Sequence, residues 1–190
     1  MAIHMRLNSV HINTPHMTIR SITVSAMLLA VLIAQEYAFM ALPNVQLTVV
    51  LIMVYAAVLP WATLLPLIAI YVLIDNLIMG SLSIMYFWPM LAAWMFLAVI
   101  SKLLMQKDLW VQVGFASLFG FVYGWFFCVV YVILFGWATL VPYLISDLPF
   151  EIIMAVNNFV TVLVIYFPIR KLLEKLINPK ANSSDNLYEQ

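Results

Sequence analysis

Residues 109–135 read LWVQVGFASLFGFVYGWFFCVVYVILF, without one Asp, Glu, Lys or Arg. About 20 consecutive apolar residues carry a helix across the roughly 30 Å hydrocarbon core of a bilayer, so this stretch is read as a membrane span. The rest of the chain agrees with it. Of 190 residues, 66% are hydrophobic and 8% charged, against roughly 45–50% and about 25% in soluble domains. A soluble globular fold is excluded, and the apolar residues suffice for roughly six spans with little left for any extramembrane domain.

Outward from that stretch, Pro, Gly and polar punctuation mark the other elements. On its N-terminal side, Gln106-Lys107-Asp108 is a tight polar connection from a span over about 85–105, with Pro89 near its start. Asp75, Asn76, Gly80 and Ser81 close a helix over about 61–77 that follows Pro60, and a short helix over about 45–59 precedes it. Ala41-Leu42-Pro43-Asn44 is a turn, because Pro43 lacks a donor and restricts the residue before it, and the first span lies over about 17–40. On the C-terminal side, Gly136 to Leu148, with Pro142 and Asp147, is expected to be a long loop. The last helix is expected to begin near Pro149, a favourable first-turn proline, and to run to about 177. The predicted fold is an all-α membrane protein of six transmembrane helices over 17–177. A polar cytoplasmic leader over 1–16 precedes it and a disordered cytoplasmic tail over 178–190 follows. No internal repeat is visible.

Cytoplasmic ends of membrane helices carry an excess of Lys and Arg. With the N-terminus inside, Arg6, Arg20, Lys102, Lys107, Arg170, Lys171, Lys175 and Lys180, every basic residue of the chain, fall on the cytoplasmic side. The outward loops hold none, and Glu36, Asp75, Asp147 and Glu151 lie at or near the outer side. A multi-pass protein of the cell membrane with both termini cytoplasmic is therefore expected.

The inventory argues against catalysis. His4, His11 and His16 all precede the first span, leaving no intramembrane His as general base or ligand. No His-Glu-x-x-His occurs, and the five glycines form no phosphate loop. Cys128 is the single cysteine, so neither a disulfide framework nor a Cys-based metal site can form within one chain. A net charge of zero gives no global field for nucleic acid. No enzyme activity, metal or intrinsic cofactor is expected; binding or transport remains.

Three features point to how. Ala26, Ala30 and Ala34, spaced by four, put a small-residue stripe on one face of the first helix, where another helix approaches closely, either within the bundle or from a partner. A polar set gathers at the outward end: Gln35, Glu36, Asn44, Gln46, Asp75 and Asn76, with Asn157 and Asn158 somewhat deeper. Polar groups at depth are expensive and usually face a cavity or a partner group, so the set is read as a polar pocket opening outward, with helix capping as the plainer role for Asp75 and Asn76. Asn157 and Asn158 lie about 100° apart around their helix, so one at most faces the pocket centre. Aromatic residues crowd the same end as an interfacial belt, and Trp94, deeper, offers a ring for stacking.

Size, topology, the Ala26-Met27-Leu28-Leu29-Ala30 stripe and two phrases, Leu42-Pro-Asn-Val-Gln-Leu-Thr48 and Tyr71-Val-Leu-Ile-Asp-Asn76 followed by Gly80, together resemble the substrate-binding S-components of energy-coupling factor vitamin transporters. The resemblance covers roughly residues 17–177, and the cobalamin-specific members look most similar, with those for pantothenate and other vitamins or precursors next. It implies a subunit that binds a vitamin from outside. A separate module of one membrane coupling subunit and two cytoplasmic ATPases would then drive import, and the solitary subunit would topple in the bilayer to carry its pocket across. The competing classes are a self-sufficient secondary transporter, which usually shows inverted repeats, and a membrane assembly protein with no ligand.

Overall fold

The computed structural model describes residues 19–78, 80 and 83–177; the leader over 1–16 and the tail over 178–190 lie outside the described residues. The described residues form six α-helices and one 3-10 turn in the order α1 (Ile19–Phe39), α2 (Thr48–Val58), α3 (Trp61–Ile78), α4 (Ile84–Leu104), α5 (Leu109–Phe135), the turn Trp137–Thr139, and α6 (Leu140–Ile177). The described residues contain no strand. Five helices are long and apolar enough to cross a membrane. The sixth, α2, has 11 residues, which at about 1.5 Å per residue is roughly half of a hydrocarbon core.

That short helix is the centre of the bundle. Every residue from Thr48 to Ala56 is buried, and none of them is more than 3% exposed, the expected fate of a helix that is apolar all round. α2 packs against α6, α4, α1 and α3. α5 closes the bundle against α4 and α6, and α1 is outermost, leaning on α3 and α2. The long helices keep exposed apolar outer faces, including Trp110, Leu118, Trp125, Val129 and Ile133 on α5.

One expected element is overturned. The predicted loop over 136–148 is the 3-10 turn followed by the first turns of α6, which starts at Leu140 and not near Pro149. Gly136, at φ 86, ends α5 and reverses the chain. Pro142 falls in the first turn of α6, where its missing N–H has no intrahelical acceptor to lose. Pro149 lies within the helix, a position that membrane helices tolerate. Val141, Ile145, Leu148 and Ile152 form one exposed apolar stripe along this stretch, and that helical period outweighs the two prolines.

One end of the bundle is held by cations. Arg20 Nη2 donates to the Leu176 carbonyl at 2.8 Å and Arg170 Nη1 to that of Met105 at 2.9 Å. Lys102 Nζ donates to the carbonyls of Ala56 and Leu59, at 3.2 and 2.5 Å, and lies 4.9 Å from the centre of the Trp61 ring. The C-terminal turns of α6, α4 and α2 thus each receive a basic side chain from another helix, satisfying carbonyls that the helix itself leaves free and matching the negative end of its dipole. The first and last described helical turns meet at this end.

Candidate ligand-binding site

The opposite end is built from α1, the 40–47 segment, α5 and α6. Gln35, buried in the last turns of α1, is fully engaged: its Nε2 donates to Leu32 O, Glu36 Oε2 and Thr48 Oγ1 at 2.9, 2.8 and 2.7 Å, and its Oε1 accepts from Leu47 N at 2.7 Å. Leu47 N is one of the free donors at the start of α2, so Gln35 does the work of an N-cap from another helix. Glu36 Oε2 also accepts from Thr48 Oγ1 at 2.9 Å and Tyr71 OH at 3.3 Å. From the other side, Asn157 Nδ2 donates to the Gln46 carbonyl at 2.6 Å. The 40–47 segment is therefore strapped down between α1 and α6. Asn44 turns it at φ 58, a left-handed conformation that asparagine tolerates better than most residues.

Two cavities lie against this segment, and Asn44 lines both. One, of about 200 Å³, is bounded by Glu36, Phe39, Pro43, Asn44 and Gln46. The other, of about 180 Å³, runs down between α5 and α6 past Tyr123, Phe127, Tyr143, Asp147, Glu151 and Met154.

The second cavity owes its floor to two glycines. A Cβ on Gly120 would stand 2.6 Å from the Ala155 Cα, so only glycine lets α5 approach the α6 backbone this closely. Across that contact, Ser117 Oγ donates to the Ala155 carbonyl at 3.1 Å and Asn158 Nδ2 to that of Ala116 at 3.0 Å. One turn along, the place where a Gly124 Cβ would sit is occupied by Asp147 Oδ2 and lies 2.6 Å from Glu151 Oε1. Asp147 and Glu151, four residues apart, share one face of α6, and both carboxylates converge on this notch. Glu151 is 5% exposed, and its Oε1 has no hydrogen-bond partner among the described residues.

The residues singled out from the sequence divide. Glu36, Asn44 and Gln46 line cavity walls. Gln35 and Asn157 hold the overlying segment and line neither cavity. Asn158 ties α6 to α5, and Asn76 is buried between α3 and α4, its Nδ2 donating to Val72 O at 2.9 Å and Met90 Sδ at 3.3 Å. Asp75 is half-buried in α3, within electrostatic reach of Glu36. Trp94 is core, its ring centre 4.9 Å from that of Tyr123 and 5.7 Å from that of Phe119. Tyr123 carries this aromatic column to the cavity wall, where it is within electrostatic reach of Glu36, Asp75, Asp147 and Tyr143. Ala26, Ala30 and Ala34 are all exposed on the outer face of α1.

Sequence reasoning placed Asp147 in a loop and Glu151 at a helix start, so their pairing was missed, as was the role of Gly120 and Gly124. The four-residue spacing of each pair, in adjacent helices, is the signal that was available. Among the described residues every Lys and Arg belongs to the cation-held end or its connections, so this end carries four carboxylates and no base. No protein-family model, curated protein or solved structure matches the chain.

Proposed function

We propose that the chain is a membrane substrate-binding subunit of the S-component type, taking a small vitamin or vitamin precursor into the cavities under the 40–47 segment. The observation that carries the reading is that segment itself: a short, strapped connection beside two half-open cavities of mixed polar and apolar lining, at the end where none of the described residues is basic. By the bias of Lys and Arg toward the cytoplasm, the cation-held end faces inward, both termini lie inside, and the cavities open outward. On this reading α2, with the 40–47 segment before it, makes the sixth crossing. Cavities of about 180 and 200 Å³ are smaller than the roughly 300–1,000 Å³ of sites for drug-sized ligands. They favour a compact ligand; cobalamin, with its corrin ring, would need the 40–47 segment to lift.

The exposed alanine stripe of α1 suits docking of a membrane coupling subunit, and two cytoplasmic ATPases would supply the energy. Purifying the chain from cells and identifying the small molecule that accompanies it tests the reading. Reconstituted alone in liposomes, the protein should bind that molecule yet accumulate none under a proton or sodium gradient, and ATP should matter only with the coupling subunit and ATPases present. Gradient-driven accumulation by the chain alone would replace this reading with a secondary transporter, a class that the pairing of half-buried Asp147 with buried Glu151 also suits.

A further inference from the structure

We propose that the α5–α6 cavity takes a small organic cation, an ammonium group of primary to quaternary type, with the carboxylates of Asp147 and Glu151 as its counter-charges. The inference rests on the reading of this end as the ligand-binding end and names the class of its substrate. Glu151 is 95% removed from solvent, its Oε1 has no hydrogen-bond partner among the described residues, and it faces the Gly124 notch that forms part of the cavity wall. A carboxylate buried without a donor is among the costliest groups in a membrane interior. A cation in the adjoining space removes that cost.

The rest of the wall fits the same occupant. Asp147 brings a second carboxylate to the notch, and Tyr123, Phe127 and Tyr143 supply aromatic rings, whose faces attract cations. Asn44 closes the top with a neutral amide. An anion would meet two carboxylates and no base. A hard metal ion asks for more oxygen ligands than a carboxylate pair offers, about six to eight for calcium, and among the described residues no three acidic, His or Cys side chains converge. An ammonium needs only a counter-charge and ring faces. Its methyl or methylene groups suit the apolar part of a wall that Met154 completes, and a space of about 180 Å³ limits the ligand to the scale of choline or a short alkylamine.

The test uses the full chain in phosphatidylglycerol nanodiscs, titrated calorimetrically with choline, tetramethylammonium, butylamine and the uncharged isostere of choline in which carbon replaces the nitrogen. At least one ammonium should bind, and choline should bind at least tenfold more tightly than its isostere. Glu151→Gln and Asp147→Asn should each weaken binding at least tenfold while the melting temperature stays near that of the parent, which separates loss of charge from loss of fold. Equal binding of the isostere, or undiminished binding to Glu151→Gln, overturns the cation assignment and leaves the ligand-binding reading standing. A co-purified neutral or anionic molecule seated in the pocket, with no ammonium binding, has the same consequence. If no probe binds and nothing co-purifies, both fall. Repetition in phosphatidylcholine nanodiscs should give the same affinity; loss of the titration there would mean that a lipid headgroup fills the site, overturning the free solute as its ligand.

Discussion

Replacing Gly120 by alanine should force α5 away from α6. The added Cβ would sit 2.6 Å from the Ala155 Cα and 3.0 Å from its Cβ, and because backbone is the obstacle, no side-chain rotation relieves it. Restoring an ordinary contact of 3.4 Å to the nearest atom, Ala155 N at 2.5 Å, requires the helices to part by about 0.9 Å. The Ser117–Ala155 and Asn158–Ala116 hydrogen bonds, now 3.1 and 3.0 Å, would then stretch beyond about 3.5 Å and cease to count as bonds. Overpacking costs about 1–3 kcal/mol, and interhelical hydrogen bonds in membranes average about 0.6 kcal/mol each. Gly114, on the same helix, has nothing within 4 Å of its Cβ position, so Gly114→Ala should be neutral or gain up to about 1 kcal/mol from helix propensity. Subtracting one variant from the other cancels that propensity and leaves about 2–4 kcal/mol of destabilisation specific to the seam. Unfolding in mixed dodecyl sulfate micelles, followed by tryptophan fluorescence, measures both variants on one scale. If Gly120→Ala unfolds no earlier than Gly114→Ala, the close approach of α5 and α6 is not where it has been placed.

Lys102→Met should lower stability by about 3 kcal/mol or more, since hydrogen bonds from a charged donor contribute about 1.5–3 kcal/mol each and Lys102 makes two to the end of α2; the same micelle titration checks it. Asn157→Leu should free the Gln46 carbonyl and raise amide exchange over residues 44–47 about fivefold or more, the equivalent of one neutral hydrogen bond of about 1 kcal/mol; unchanged exchange would mean that the strap is held by Gln35 alone. Ala30 is exposed, so Ala30→Trp should melt like the parent and bind ligand normally while ATP-driven uptake with the coupling module is lost; retained uptake would place the docking surface elsewhere.

The membrane helices were legible where charge-free length settles them: α5 occupies the stretch read for it, Leu109–Phe135, and the ends of α1, α3 and α4 fall within a few residues of expectation. The start of α6 was not, because Pro142 counts toward a loop and Pro149 toward a helix start, although the stripe Val141, Ile145, Leu148 and Ile152 already carries a helical period. That one misreading hid the acidic pair, since Asp147 and Glu151 share a face only if the segment is helical. Among the polar residues, type and approximate depth were visible but direction was not. Gln35, Asn76 and Asn158 spend their amides on backbone carbonyls and neighbouring side chains, whereas Glu36 and Asn44 reach cavity walls. A single sequence says which residues are polar at depth; which neighbour each one meets depends on how six helices cross.

The position of α2 bears on how the protein is made. The helix is synthesised before α4 and α6, which cover much of its surface. Until they arrive its apolar surface lacks most of the neighbours that bury it, and at 11 residues it is short for the roughly 30 Å of a hydrocarbon core. With α1 and α3 alone, α2 has only the smaller part of its packing, and α4 and α6 supply the rest. Chains released before α6 is complete would lack the side of the bundle that contacts α2 most extensively.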